Sequence, residues 1–313
     1  MSSFDRLRMT SKTVVTLKTN KLQKMKFIQS IQELSNKYDY FLFDVWGVVH
    51  DGSTAYPGAI EAITYLRSQG KKICFLSNAP RRASKVATML ERFGVTPNLY
   101  DFVMSSGEAT FLDLKKNQEA GFKDFGQNYF YIGPQKDIDL LDGLDYKRVD
   151  DAAQAQFAIT TGFDGDDSVL AEKMPQALAA KENNLTLICV NPDMIVVKQD
   201  GREMICAGAL AKEYQALGGK VIYYGKPFAS VYKIVCEIFN DPKNEQMLMI
   251  GDGIETDIKG ANDFKIDSLL VTGGILSNIL GINYRQTADQ TKLEAFCKQH
   301  QLFPNFVISS LKI

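Results

Sequence analysis

The chain has 313 residues, 45% of them hydrophobic and 23% charged, with a formal net charge of −1. This composition fits a globular protein with enough apolar mass for one large domain or two of ordinary size, and it excludes a global field that would recruit nucleic acid or an anionic membrane. Five cysteines, odd in number and without a CxxC pair, fit buried thiols in a reducing, cytoplasmic compartment, and two histidines are too few for a histidine-based zinc centre.

In chain order, residues 1–26 come first, with seven Lys and Arg against Asp5 alone. No apolar h-region marks them as a secretory signal. They are set aside from the fold as a basic extension: a transit peptide, an unstructured tail, or the product of a start codon placed upstream of Met25. "DYFLFDVWGVV" (39–49) then reads as a buried strand, "AIEAITYLRSQG" (59–70) as a helix stopped by Gly70, and "KICFLSN" (72–78) as a second strand. "RRASKVATMLERFG" (81–94) is a helix and "FVMSS" (102–106) a third strand before another helix. Such β-α-β-α order predicts a parallel sheet covered by helices on both faces.

The middle repeats the theme. "NYFYIG" (128–133), "FAITTGF" (157–163) and "LTLICVN" (185–191) read as strands, with a helix over 168–182 and another over 207–219. After them come "KVIYYGKP" (220–227), a helix over 228–240, and the strands "QMLMIGDG" (246–253) and "SLLVTGG" (268–274). The block 121–219 reads as a second α/β domain inserted between two halves of the first, 27–120 and 220–313. No stretch of 18 uncharged apolar residues is present, so no membrane span is expected.

Reactive groups in open parallel sheets collect at the carboxyl ends of strands. Four expected strands end in polar residues: Asp44, Ser77–Asn78, Lys226 and Asp252, with Asp257 one turn later. Each alone has a structural reading, as a capping aspartate, turn residues, a solvated loop lysine or an acidic turn. Together they serve one chemistry. A carboxylate nucleophile attacking phosphorus needs a cation, and Asp252 beside Asp44 offers hard oxygen ligands for Mg²⁺. Ser77, Asn78, Lys226 and the backbone N–H groups of Trp46 and Gly47 supply donors for a phosphoryl group, and the helix after Asn78 offers its N-terminus.

In this order and spacing, "DVWGV", "FLSN", "GKP" and "GDGIETDIKGA" resemble motifs I to IV of the haloacid dehalogenase (HAD) superfamily. "SSGEAT" (105–110), "NPD" (191–193) and "AGAL" (207–210) resemble its class IIA branch, the NagD-like and p-nitrophenyl-phosphatase-like hydrolases. The resemblance spans about 38–275. It implies a Rossmann-like core with an inserted α/β cap, and a Mg²⁺-dependent phosphatase acting on a small phosphorylated metabolite through an aspartyl-phosphate. Asp44 would be nucleophile and metal ligand, the Trp46 carbonyl and Asp252 further ligands. Ser77, Asn78 and Lys226 would hold phosphate, Asp257 would orient Lys226 or a metal-bound water, and Asp193 in the cap would contact substrate. Lys198 and Arg202 suit any phosphate ester, so sugar phosphates, nucleotides and pyridoxal phosphate all stay open. Caps of this branch often contribute to homodimers.

The departure is at Trp46. The family's phosphatases carry there a second aspartate that protonates the leaving alkoxide and then activates water, help worth about 10²–10⁴-fold. An indole N–H cannot replace it. Three readings remain: a phosphatase for good leaving groups or one borrowing His50 or Asp51 as acid; a phosphate-ligand binding protein with little turnover; or other Asp-nucleophile chemistry such as dehalogenation or phosphonate cleavage. Outside the family, a receiver domain shares the Asp, Ser and Lys set but lacks the insertion and the late "GDGIETD". A Rossmann oxidoreductase would need a GxGxxG after its first strand.

Overall fold

The computed structural model describes residues 25–197 and 202–313. The expectations for residues 1–24 and for Lys198 lie outside that range. Met25 and Lys26, set aside with the basic extension, belong to the fold. Met25 is buried beside Leu270, Leu293 and Cys297, and Lys26 opens a short strand.

Strands β1 (Lys26–Phe27), β2 (Tyr40–Phe43), β3 (Lys72–Ser77) and β4 (Phe102–Ser105) precede the middle of the chain. The middle contributes β5 (Asn128–Ile132), β6 (Lys147–Val149), β7 (Phe157–Thr160), β8 (Thr186–Cys189), β9 (Ile195–Val197), β10 (Glu203–Ile205) and β11 (Val221–Tyr223). Strands β12 (Met247–Gly251), β13 (Asp267–Val271) and β14 (Phe306–Ile308) follow. One seven-stranded sheet runs β1-β14-β13-β12-β2-β3-β4, and a five-stranded sheet runs β11-β8-β7-β5-β6. Every pairing in both is parallel. The antiparallel pair β9–β10 lies within the block 121–219 expected to form the cap.

The continuous apolar run of β2 follows from burial on both faces. Successive side chains alternate: Phe41 and Phe43 enter one apolar cluster with Ile63, Leu66 and Leu90 of the helices Ala59–Ser68 and Ala83–Arg92, and Leu42 enters another. That second cluster is shared. Leu42, Leu76 and Met104 of the first sheet, Leu114 and Val235 of the helices Ser106–Glu119 and Ala229–Ile238, and Phe157 and Ile188 of the second sheet all belong to it. The far face of the second sheet packs on the helices Met174–Glu182 and Ala207–Ala216.

Strand pairing departs from the sequence division at residue 220. Val221–Tyr223 pairs with Leu187–Cys189 at the edge of the second sheet, so the chain returns to the first sheet only afterwards. Among the described residues no helix is long and apolar enough to cross a membrane.

Candidate active site

Asp44 is the residue immediately after β2. Its N–H still donates to the Ile250 carbonyl at 2.8 Å, which ties its backbone to β12. Its Oδ1 accepts the Val45 N–H at 2.7 Å and the Lys226 ammonium at 2.5 Å. The same Nζ lies 2.7 Å from Asp257 Oδ1. Lys226 is almost wholly enclosed, its side chain 3% exposed, whereas Asp44 keeps 13% and is the member of the pair that solvent can reach.

Glycines make room for the carboxylates. Asp257 lies on a π-type turn, Ile254–Ile258, and its Oδ2 accepts the Gly253 N–H at 2.9 Å. A Cβ at Gly251 would fall 2.1 Å from Asp257 Cγ. Asp252 Oδ2 accepts the Ile275 N–H at 2.7 Å. A Cβ at Gly274 or Gly47 would come within 2.1 or 1.9 Å of that oxygen, and Gly47 also has φ +85°, where side chains are strained. Asp44, Asp252 and Asp257 thus present ligand oxygens within 4.8 Å of one another.

Three carboxylates around one ammonium leave two negative charges if all are ionised. Burial, then the neighbouring Asp257, push Asp252 up to about 7. Burial and Asp257 likewise push Asp44 well above the carboxylate range, with Lys226 opposing. Burial alone would lower Lys226, but Asp257 and Asp44 hold its ammonium above the ordinary lysine value. A divalent cation matches this donor set in charge and in hard oxygen chemistry.

Asn78 joins the two sheets. Its Oδ1 accepts the Lys226 N–H at 2.7 Å, and its Nδ2 donates to the Lys226 carbonyl at 3.0 Å and to Asp193 Oδ1 at 2.7 Å. Burial raises Asp193 above its ordinary value, against the Asn78 hydrogen bond. Gly225, at φ +115°, has no room for a Cβ, which would lie 2.6 Å from Asn78 Oδ1. Ser77 ends β3, and its hydroxyl accepts the Ala79 N–H at 3.2 Å.

The expected helix N-terminus after Asn78 is taken. That helix starts at Ala83, whose N–H donates to Glu108 Oε2 at 2.9 Å while Arg82 pairs with the same carboxylate. A carboxylate there already satisfies the helix end that a phosphate would use.

The loop 46–55 has a different character. Gly47 N–H donates to the His50 carbonyl at 2.9 Å, so this amide is engaged inside the loop. The Trp46 ring lies on Gly52 and meets His50 edge-on, with centroids 5.4 Å apart. His50 is fully buried, stacks on Phe93 at 4.3 Å and accepts the Gly52 N–H at Nδ1; burial pushes it down to about 4. Asp51 turns into its own loop, where the Ser53 and Thr54 amides hold its carboxylate low against the opposite pull of burial. Neither side chain is brought to Asp44 by these contacts. Sequence reasoning also missed Ile275, the helix-end role of Glu108 and the room that Gly47, Gly251 and Gly274 leave for the carboxylates; Ser105-x-x-Glu108, a capping-box spacing, carried a signal for the second.

A family model described as haloacid dehalogenase-like hydrolase matches residues 41–147, and a second, HAD-hydrolase-like, matches 223–296. The sugar-phosphatase AraL of Bacillus subtilis is 29% identical over 74% of this chain and 82% of its own length. Human chronophin is 25% identical over 90% of this chain and 94% of its own. A solved haloacid dehalogenase-like hydrolase from Brucella suis superposes with a TM-score of 0.74 at 30% identity, covering 91% of this chain and all of that one. The 4-nitrophenylphosphatase of Thermotoga maritima, 23% identical, shares the fold with a TM-score of 0.68 over 88% of this chain and 96% of its own.

Proposed function

We propose that this chain, which belongs to the haloacid dehalogenase-like hydrolase family, is a Mg²⁺-dependent phosphatase acting on a small phosphorylated metabolite through an aspartyl-phosphate at Asp44. One observation carries the reading: the buried Lys226 ammonium bridges Asp44 and Asp257 with Asp252 alongside. Similarity to a sugar-phosphatase and a 4-nitrophenylphosphatase supports the reaction class.

Asp44, Asp252 and the Trp46 carbonyl would hold Mg²⁺, which when bound supplies the charge balance for a phosphate beside three carboxylates. Lys226 and the Ser77 hydroxyl position the phosphoryl group and stabilise charge on its oxygens, and Asn78 braces the Lys226 backbone beside them. Asp257 holds Lys226 in place and keeps it charged. The second sheet acts as the cap, with Asp193 as its specificity contact, and the enzyme works in a reducing cytoplasmic compartment. The five cysteines, all buried and free, support that last reading.

Phosphate release from a panel of aryl and alkyl phosphates, with and without Mg²⁺, tests the proposal. Turnover that needs Mg²⁺ and vanishes in Asp44→Asn is expected; turnover intact in Asp44→Asn would sink it. Trp46 favours one second reading, a phosphate-ligand binding protein. Mg²⁺-dependent vanadate binding without turnover on any ester would select it.

A further inference from the structure

The helix Ala59–Ser68 leaves one stripe uncovered. Ile60, Glu61, Thr64, Tyr65 and Ser68 recur along it at the spacing of a single helix face and line one cleft of about 630 Å³, a size usual for a small-molecule site. The cleft is separate from the acidic cluster: none of Asp44, Lys226, Asp252 and Asp257 lines it.

Its walls are pinned. Tyr284 stacks on Tyr56 with centroids 4.9 Å apart, and the Tyr284 hydroxyl and the Arg285 guanidinium donate to the Pro57 carbonyl at 3.1 and 3.0 Å. Gly58, at φ +91°, has no room for a Cβ, which would lie 2.6 Å from the Leu311 carbonyl oxygen. Ile313 lines the same cleft, and the Lys312 carbonyl before it accepts the Ile31 N–H at 3.0 Å.

Charge selects the ligand. No Lys, Arg or His lines the cleft, and the Glu61 carboxylate has no ion-pair partner among the described residues. Arg285 is engaged at the Pro57 carbonyl. An anion would meet only a carboxylate here, whereas an ammonium meets Glu61 and the rings of Tyr56 and Tyr65.

The cleft also touches the loop beside Asp44. Ala55 and Tyr56, which line it, are the return arm of that loop: Ala55 bridges His50, the Tyr56 N–H donates to the Val49 carbonyl at 2.8 Å, and His50 bridges Trp46 in turn. A ligand in contact with Ala55 and Tyr56 favours one arrangement of this arm over others, which is what a shift of the loop requires.

We propose that this cleft is a second binding site, for a small amphipathic amine whose ammonium meets Glu61 and whose apolar body lies against Tyr56 and Ile60, and that filling it shifts the loop carrying Trp46. Trp46 is the chain's one tryptophan, so its emission reads that loop directly. The probes are 2-phenylethylamine, 2-phenylethanol and phenylacetate, alike in size and different in charge, followed on the full chain by Trp46 emission and by calorimetry.

The amine should bind with a Kd of about 1 mM and change the emission, the alcohol should bind about tenfold more weakly, and phenylacetate should not bind. Glu61→Gln should remove the tenfold advantage and leave the alcohol unchanged. Thr64→Arg, which tethers a cation one turn from Glu61, should abolish binding of both. Both positions are exposed, so neither variant threatens the fold. No saturable binding of the amine, equal affinity for all three probes, or an affinity that neither variant changes overturns the proposal, the last because the amine would then lie on Trp46 itself. Calorimetric binding with silent Trp46 emission overturns the shift of the loop. Each of these results leaves the phosphatase reading standing, since none is read through turnover.

Discussion

The loop 46–55 follows Asp44 almost directly, yet it and the acidic cluster are built on opposite principles. In the cluster, charged groups are enclosed and paired: Lys226 between Asp44 and Asp257, Asp252 against the Ile275 amide, with glycines cut back to admit each carboxylate. In the loop, an aromatic ring is braced from behind, and the one histidine is buried and held neutral. The first arrangement fixes where charge sits before any ligand arrives. The second offers an aromatic surface and no titratable group aimed at Asp44.

The largest expected effect breaks the cluster at its centre. Asp44→Asn should lower kcat by at least about 10⁴-fold in a phosphate-release assay with saturating Mg²⁺, because it removes the proposed nucleophile while the fold keeps its shape. Lys226→Ala strands the enclosed Asp257 carboxylate and removes the partner of Asp44, and urea unfolding of the metal-free protein should show a loss of about 3–5 kcal/mol. A loss under about 1 kcal/mol would mean that the ion pairs are not enclosed as described. Gly47→Ala sets strain at positive φ and a clash with Asp252 together. It should cost about 1–3 kcal/mol and weaken Mg²⁺ binding in titration calorimetry, whereas Gly70→Ala, with open space around it, should leave Mg²⁺ affinity alone.

A pH series sharpens the same contrast. Asp252 holds its proton up to about 7 in the folded, metal-free protein, while an unfolded aspartate releases it near 4. Between those values the native state binds more protons, so metal-free stability should fall as pH rises from about 4 to 7. Mg²⁺ affinity should rise across the same window, since ligation needs the ionised form. Urea midpoints at pH 4.5 and 7.5, with and without Mg²⁺, would show it; a flat metal-free profile would remove the burial argument. Asn78→Ala gives the smallest change, a loss of about 1–2 kcal/mol as its bonds to Asp193 and Lys226 go.

Much of this was legible in the chain. The buried β2, β3 and β12 announced themselves as apolar runs, and their polar ends Asp44, Asn78 and Asp252 lie together because parallel strands deliver their carboxyl ends to one edge. β6 was not legible: Lys147–Val149 is three residues with two exposed side chains, too short for a period. Nor was β11's allegiance, because "VIY" pairs equally well with either sheet and only the register with Leu187–Cys189 decides. His50 looked available from its place six residues after Asp44. Phe93, far along the chain, is what encloses it. The helix N-terminus after Asn78 looked open until Glu108, on a different helix, came to occupy it.

The apolar cluster that Leu42 and Leu76 share with Phe157 and Ile188 bears on how the molecule comes apart. A lid joined to its base only by linkers melts as a separate unit and gives two heat-capacity peaks. Here the interior of one sheet continues into that of the other through two intervening helices, so neither can open its interior to water without exposing its neighbour's. The chain should therefore melt in a single cooperative transition, and catalytic access should come from small shifts around a shared interior, without detachment of one half.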